Sequence, residues 1–164
     1  MSTTTSRHSE LLYAIEFLRQ NSANANIKLD YSPASVRQLD RMFDEAFAEG
    51  KLRNPESSFA KQQGLILTGV AGYLAEVVLR ATEASELVID PEGRDWYMRF
   101  RVVARNGWQL QPGMRVIRRV QEGREKDLYH YILTAIDYAR RPEGGPGEIE
   151  SLTLRGNRSW WKFW

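Results

Sequence analysis

The chain has 164 residues, 42% of them hydrophobic, which suits one domain with a buried core. A formal net charge of +2 singles out no acidic partner in bulk, and the absence of cysteine excludes disulfides and thiolate chemistry. No motif in it specifies a reaction, so the residues speak first about architecture.

Charge is uneven along the chain. Residues 1–90 carry nine Lys/Arg against twelve Asp/Glu, and residues 91–164 carry fourteen against nine. The second half therefore hints at an anionic contact. Residues 1–8 read as a flexible polar arm without the apolar stretch of a secretory signal, so the cytoplasm is the expected compartment. From Ser9, the spacing of Leu11, Leu12, Ile15 and Leu18 predicts a first amphipathic helix that ends in the tract Asn21–Asn26. Ile27–Tyr31 is short and extended. Ser32 as cap and Pro33 at the first helical position start a second helix over Val36, Leu39, Met42, Phe43, Ala46 and Phe47, with Gly50 as its stop. Arg37, Asp40, Arg41, Asp44 and Glu45 fall on its outer face and read as solvated i,i+4 pairs.

Gly64–Arg80 is the most apolar segment. Ser57 or Ser58 can cap it, and Leu67, Val70, Ala71, Leu74, Val77 and Val78 line one stripe that Leu65, Ile66, Tyr73 and Leu79 widen. With Thr68 and Glu76 inside the run, it reads as a buried central helix and not a membrane span. Gly69, Gly72 and Ala75 share a face, which predicts a strand or helix lying across them. A phosphate loop is excluded, because G-x-x-x-x-G-K-[ST] is absent.

Beyond the helix the period changes. Ser85–Asp90 reads as a strand, Pro91–Gly93 as a turn, and Asp95–Ala104 alternates as a half-buried strand with Tyr97, Arg99 and Arg101 on one face. Asn106-Gly107 predicts a hairpin with positive φ at both positions. Trp108–Gln111 forms the return strand, Pro112-Gly113 turns, and Met114–Val120 is a further strand candidate. A last helix runs from Glu125 to about Arg141. The chain thus divides into an arm (1–8), one α+β domain (9–141), a linker (142–150) and an aromatic tail (151–164). The domain is expected to have N-terminal helices, an antiparallel sheet of three to four strands and a C-terminal helix, with helices on one sheet face.

Two phrases, Leu29–Asp40 (LDYSPASVRQLD) and Gly72-Tyr73-Leu74-Ala75-Glu76-Val77, carry a resemblance. Their order before an aromatic sheet resembles that of small bacterial domains of unknown function, over roughly residues 9–140. The resemblance implies a fold and no established activity.

Glu76 is the weak catalytic candidate: a carboxylate on an apolar helix is either paired, Arg80 being one turn on, or perturbed enough to act as acid or base. His8 and His130 lack the convergent ligands a metal needs, so no metal or cofactor is expected. The arginines Arg94, Arg99, Arg101, Arg105, Arg115, Arg118, Arg119 and Arg124, with Tyr97, could form a single-strand platform or could pair with acidic helices. Trp160, Trp161, Phe163 and Trp164 fit a core, a membrane interface or a partner's groove. The reading is a non-enzymatic bacterial interaction protein, an adaptor or immunity-like protein. It would meet a protein partner through Trp160, Trp161, Phe163, Trp164, Tyr97, Arg99 and Arg101. Single-stranded nucleic acid, a membrane surface met by the tail, and an enzyme using Glu76 stand as alternatives.

Overall fold

A computed structural model describes residues 3–83, 85–90 and 95–142. The helices are α1 (Thr3–Asn24), α2 (Val36–Ala46), α3 (Ser58–Lys61), α4 (Gln63–Ala81), α5 (Pro112–Glu122) and α6 (Leu128–Arg140). The strands are β1 (Phe47–Ala48), β2 (Lys51–Leu52), β3 (Ser85–Ile89), β4 (Phe100–Ala104) and β5 (Gln109–Leu110). This is an α+β arrangement in which β1 and β2 make a small ribbon and β3-β4-β5 an antiparallel sheet.

α4 is the centre. Leu67, Val70, Tyr73, Leu74, Val77 and Val78 have no exposed surface, and each such apolar side chain contributes about 1.5–3 kcal/mol by leaving water. α4 is long and apolar enough to cross a bilayer, yet most of it is buried inside the fold. Its glycine face receives α1, as the spacing predicts. A Cβ at Gly69 would lie 2.4 Å from the Ala14 carbonyl oxygen, so only glycine permits this approach of two backbones. The cap lies one short helix earlier than expected. The Ser57 hydroxyl accepts the Ala60 amide of α3 at 3.1 Å, and the chain bends at Gln62 before α4 begins. α1 likewise begins at Thr3, ahead of Ser9.

On β4, Phe100, Val102 and Ala104 are buried, while Arg101 and Val103 are half-buried on the other face. The alternation over 100–104 is real, but 96–98 winds into a 3-10 turn and Tyr97 leaves the strand. Pro91–Gly93 lies outside the described residues. Met114–Val120 is helical, correcting the strand reading. Its β-branched residues suit a strand, but Pro112 starts a helix whose Met114, Val116, Ile117 and Val120 are buried together. The last helix begins at Leu128, after a 3-10 turn over Gly123–Lys126.

The two turns trade roles. α2 ends at Ala46, and Glu49 (φ 50°) with Gly50 (φ 75°) forms the two-residue hairpin between β1 and β2 instead of a helix stop. Between β4 and β5 only Gly107 has positive φ (82°). There the Gly107 amide donates to the Ala104 carbonyl at 2.9 Å and the Ala104 amide to the Trp108 carbonyl at 2.8 Å. This is a three-residue loop with Gly107 in the left-handed position, not a two-residue one.

Candidate interaction surface

The two phrases that carry the resemblance meet in space. Tyr73 of α4 is fully buried, and its hydroxyl accepts the Tyr31 amide at 2.7 Å. The Ser35 hydroxyl has one proton, donated to the Ser32 carbonyl at 2.6 Å, so Tyr73 donates to Ser35 across their 2.6 Å contact. Burial pushes the Tyr73 phenol above its ordinary value, against the lowering effect of Ser35 and the Tyr31 amide. Tyr31 has φ 63°, rare for a bulky residue. Its ring stacks on Tyr73 at 4.9 Å and lies 3.7 Å from the Arg80 guanidinium, contacts that hold the strained backbone. Arg80 in turn donates from Nε to Glu76 at 3.3 Å. Glu76 is therefore the ion-pair partner of a guanidinium clamped over an aromatic ring. The three clefts described below do not include it among their lining residues.

The aromatic platform also comes apart. Tyr97 is 8% exposed, packs with Met114 and Ile117 of α5, and donates to Asp95 at 3.2 Å. Burial, then the Asp95 charge, pushes its phenol up. It shares no face with Arg101, whose Nε is itself buried without a hydrogen-bond partner among the described residues. Arg99, half-buried just before β4, accepts the Asp90 amide on its carbonyl at 2.6 Å. Tyr97 therefore does not offer its ring as a stacking face beside Arg99 and Arg101.

Several arginines assigned by sequence to the hairpin belong to α5 and the turn after it, and they hold helices together. Arg119, 3% exposed, donates to the Asp40 carboxylate at 3.0 Å, the Asp40 carbonyl at 3.1 Å and the Asp44 carboxylate at 2.6 Å. Arg124 completes Asp44 at 3.0 Å. Asp40 also accepts the Leu128 amide at 2.9 Å and the Tyr129 amide at 3.0 Å, capping α6 from α2. Burial pushes the Asp44 carboxyl up, but the hydrogen bonds and charges of Arg119 and Arg124 outweigh it and hold it below its ordinary value. The face of α2 read as solvated is thus a joint between three helices. One local signal marked it: Asp40 lies four residues after Val36 and three before Phe43, beside the buried stripe. Arg115 donates to the Asp127 carbonyl at 2.9 Å and covers Tyr131. Asp127 caps α6 by accepting the His130 amide at 2.7 Å. Among the described residues, no three His, Asp or Glu side chains gather as a metal site would require.

The hairpin tip is different. The Asn106 amide donates to the Tyr138 carbonyl at 2.9 Å and the Arg141 carbonyl at 2.8 Å, while its oxygen accepts the Trp108 amide at 3.0 Å. One side chain fastens the β4–β5 loop to the end of α6. Around it opens a cleft of about 650 Å³ lined by Ala81, Thr82, Glu83, Arg105, Asn106, Ala139, Arg140, Arg141 and Pro142. Arg140 donates to the Ala81 carbonyl at 2.8 Å, the last residue of α4, and Arg141 pairs with Asp137. Arg105 is exposed and has no ion-pair partner among the described residues. A second cleft, about 170 Å³, lies over Arg119 and Arg124, whose guanidiniums Asp44 already holds. A third, about 60 Å³ between Glu10, Trp96 and Arg99, is no larger than a few waters. The tail residues Trp160, Trp161, Phe163 and Trp164 lie outside the described residues. No known protein family, curated protein or solved structure matches the chain, so the functional reading rests on these residues themselves.

Proposed function

We propose that the protein is a non-enzymatic interaction protein of the adaptor or immunity-like kind, which meets a protein partner at the β4–β5 hairpin tip and along the aromatic tail. One observation carries this reading. Asn106 ties the loop that bears Arg105 to the carbonyls of Tyr138 and Arg141, so the exposed arginine and the end of α6, after which linker and tail follow in the sequence, share one cleft. Three groups that could otherwise do chemistry have partners among the described residues. Glu76 pairs with Arg80, Tyr73 bonds Tyr31 and Ser35, and Asp127 caps α6 beside His130. Large aromatics and arginine are the residue types that dominate the binding energy of protein interfaces.

The test is capture from a lysate of the source cell with the full chain as bait, in three forms. These are the unaltered chain, Arg105→Glu, and a chain with Trp160, Trp161, Phe163 and Trp164 all replaced by alanine. A protein retained by the first and lost by both variants, at an unchanged melting temperature, is the expected result. Retention indifferent to both changes would overturn the reading, as would eluates that differ only in nucleic acid.

A further inference from the structure

We infer that the hairpin-tip cleft takes an acidic, carboxylate-bearing segment of its protein partner, with Arg105 as the residue that reads the charge and Glu83 as the residue that limits it. This rests on the reading of the cleft as the partner-binding surface. Three of its lining side chains are guanidiniums and one is a carboxylate. Arg141 is neutralised by Asp137, whereas Arg140 donates to a carbonyl, which leaves its charge uncompensated. Arg105 has neither kind of partner among the described residues. Among the described lining residues, two positive charges therefore face one carboxylate, Glu83.

The opposing effect is the pair of helix ends. α4 and α6 both finish at the cleft, and C-terminal carbonyls repel an anion. Three carbonyls at these ends are already occupied. Arg140 lies on Ala81, and the Asn106 amide lies on Tyr138 and Arg141. With these three bonded, the arginines set the sign. An arginine has five N–H donors, so Arg140 and Arg141 retain donors for a carboxylate after these contacts. Ala81, Ala139 and Pro142 supply apolar wall between the charges, which suits a peptide segment with aliphatic neighbours better than a sugar–phosphate chain. Tyr97, the aromatic that a nucleic acid would stack on, is buried elsewhere.

Fluorescence anisotropy with the full chain tests this, using a labelled Glu/Leu-rich peptide, its Gln/Leu counterpart and a labelled oligothymidylate. The acidic peptide is expected to bind, and the Gln form to bind several-fold more weakly. Arg105→Glu should weaken the acidic peptide about tenfold or more, because it places like charges together. Glu83→Gln should tighten it about two- to fivefold, the size of an exposed charge contact. That gain is one that a merely structural residue would not give. Equal binding of the two peptides overturns the inference, as does no binding of the acidic one up to about 1 mM. Tighter binding of oligothymidylate overturns it in favour of nucleic acid. If the peptide is ignored while Arg105→Glu still releases a captured protein, the charge assignment falls and the interaction reading stands. If Arg105→Glu changes neither, both fall.

Discussion

Arg119 and Arg105 lie fourteen residues apart in the chain and have opposite fates. Arg119 is buried, holds two carboxylates and a carbonyl, and joins α5 to α2. Arg105 stands on a turn, exposed and unpaired among the described residues. A guanidinium drawn into the fold fixes geometry, because a buried charge persists only with its partners in place. A guanidinium left on a loop adds nothing to the fold and remains available to something else. The contrast separates an arginine that builds this molecule from one that its surface offers.

The sharpest way to break the contrast is Arg119→Met. Asp40 and Asp44 would lose their shared partner, and stability should fall by roughly 3 kcal/mol, near the low end for a broken buried pair because both carboxylates retain some water. Urea unfolding measures it, and a change below the error of the method would show the network to be ornamental. Gly69→Ala comes next. Its Cβ would meet the Ala14 carbonyl oxygen at 2.4 Å, so the gain in helix propensity is outweighed and about 1–3 kcal/mol should be lost. Stabilisation by alanine would mean that α1 does not lie where described. Tyr73→Phe removes the acceptor of the Tyr31 amide and the donor to Ser35, and should cost about 1–2 kcal/mol by the same assay.

Acid gives a smaller effect with a definite sign. The Asp44 carboxyl lies below its ordinary 3.8 in the folded protein. Its contribution is therefore complete above about pH 5 and is lost as pH falls through 3.8 towards the depressed folded value. Melting temperature followed from pH 6 to pH 3 (~3 units of titration) should decline less steeply in Asp44→Asn than in the parent, and identical slopes would contradict the assignment. Smallest of all, Arg105→Ala should leave stability unchanged within about 0.5 kcal/mol. A larger loss would make Arg105 a structural residue and remove the contrast.

Much of the fold was legible because its causes are local. The apolar spacing of Gly64–Arg80 and its small-residue face anticipated both the burial of α4 and the helix lying across Gly69. The period of two over 100–104 gave β4 its inward face. Errors arose where a partner is remote. Asp40 and Asp44 have the i,i+4 spacing of any solvated pair, and the arginine that claims them is 79 and 75 residues away. Met114–Val120 carries strand-favouring residues at helix-compatible spacing, and the packing of Met114 and Ile117 against Tyr97 and of Val116 and Val120 in the main core decides between them. Of the candidate site, the Glu76–Arg80 pair was readable as one helical turn. The Tyr31–Tyr73 stack, whose members are 42 positions apart, was not. Asn106 was read as a turn former, and its second task depends on α6 arriving beside it.

That second task has a mechanical consequence. A load applied to the chain beyond Pro142 reaches Arg141 first, where the Asn106 amide grips the carbonyl, and a second bond from the same amide holds Tyr138 one turn back. The pull is thereby shared between the end of α6 and a loop whose strands are laddered into the β3-β4-β5 sheet. Without Asn106, tension would peel α6 from its last residue; with it, two further hydrogen bonds must break before the helix frays. Under an optical trap, Asn106→Ala should lower the force at which the C-terminal helix detaches while leaving the unfolding force of the remaining core unchanged.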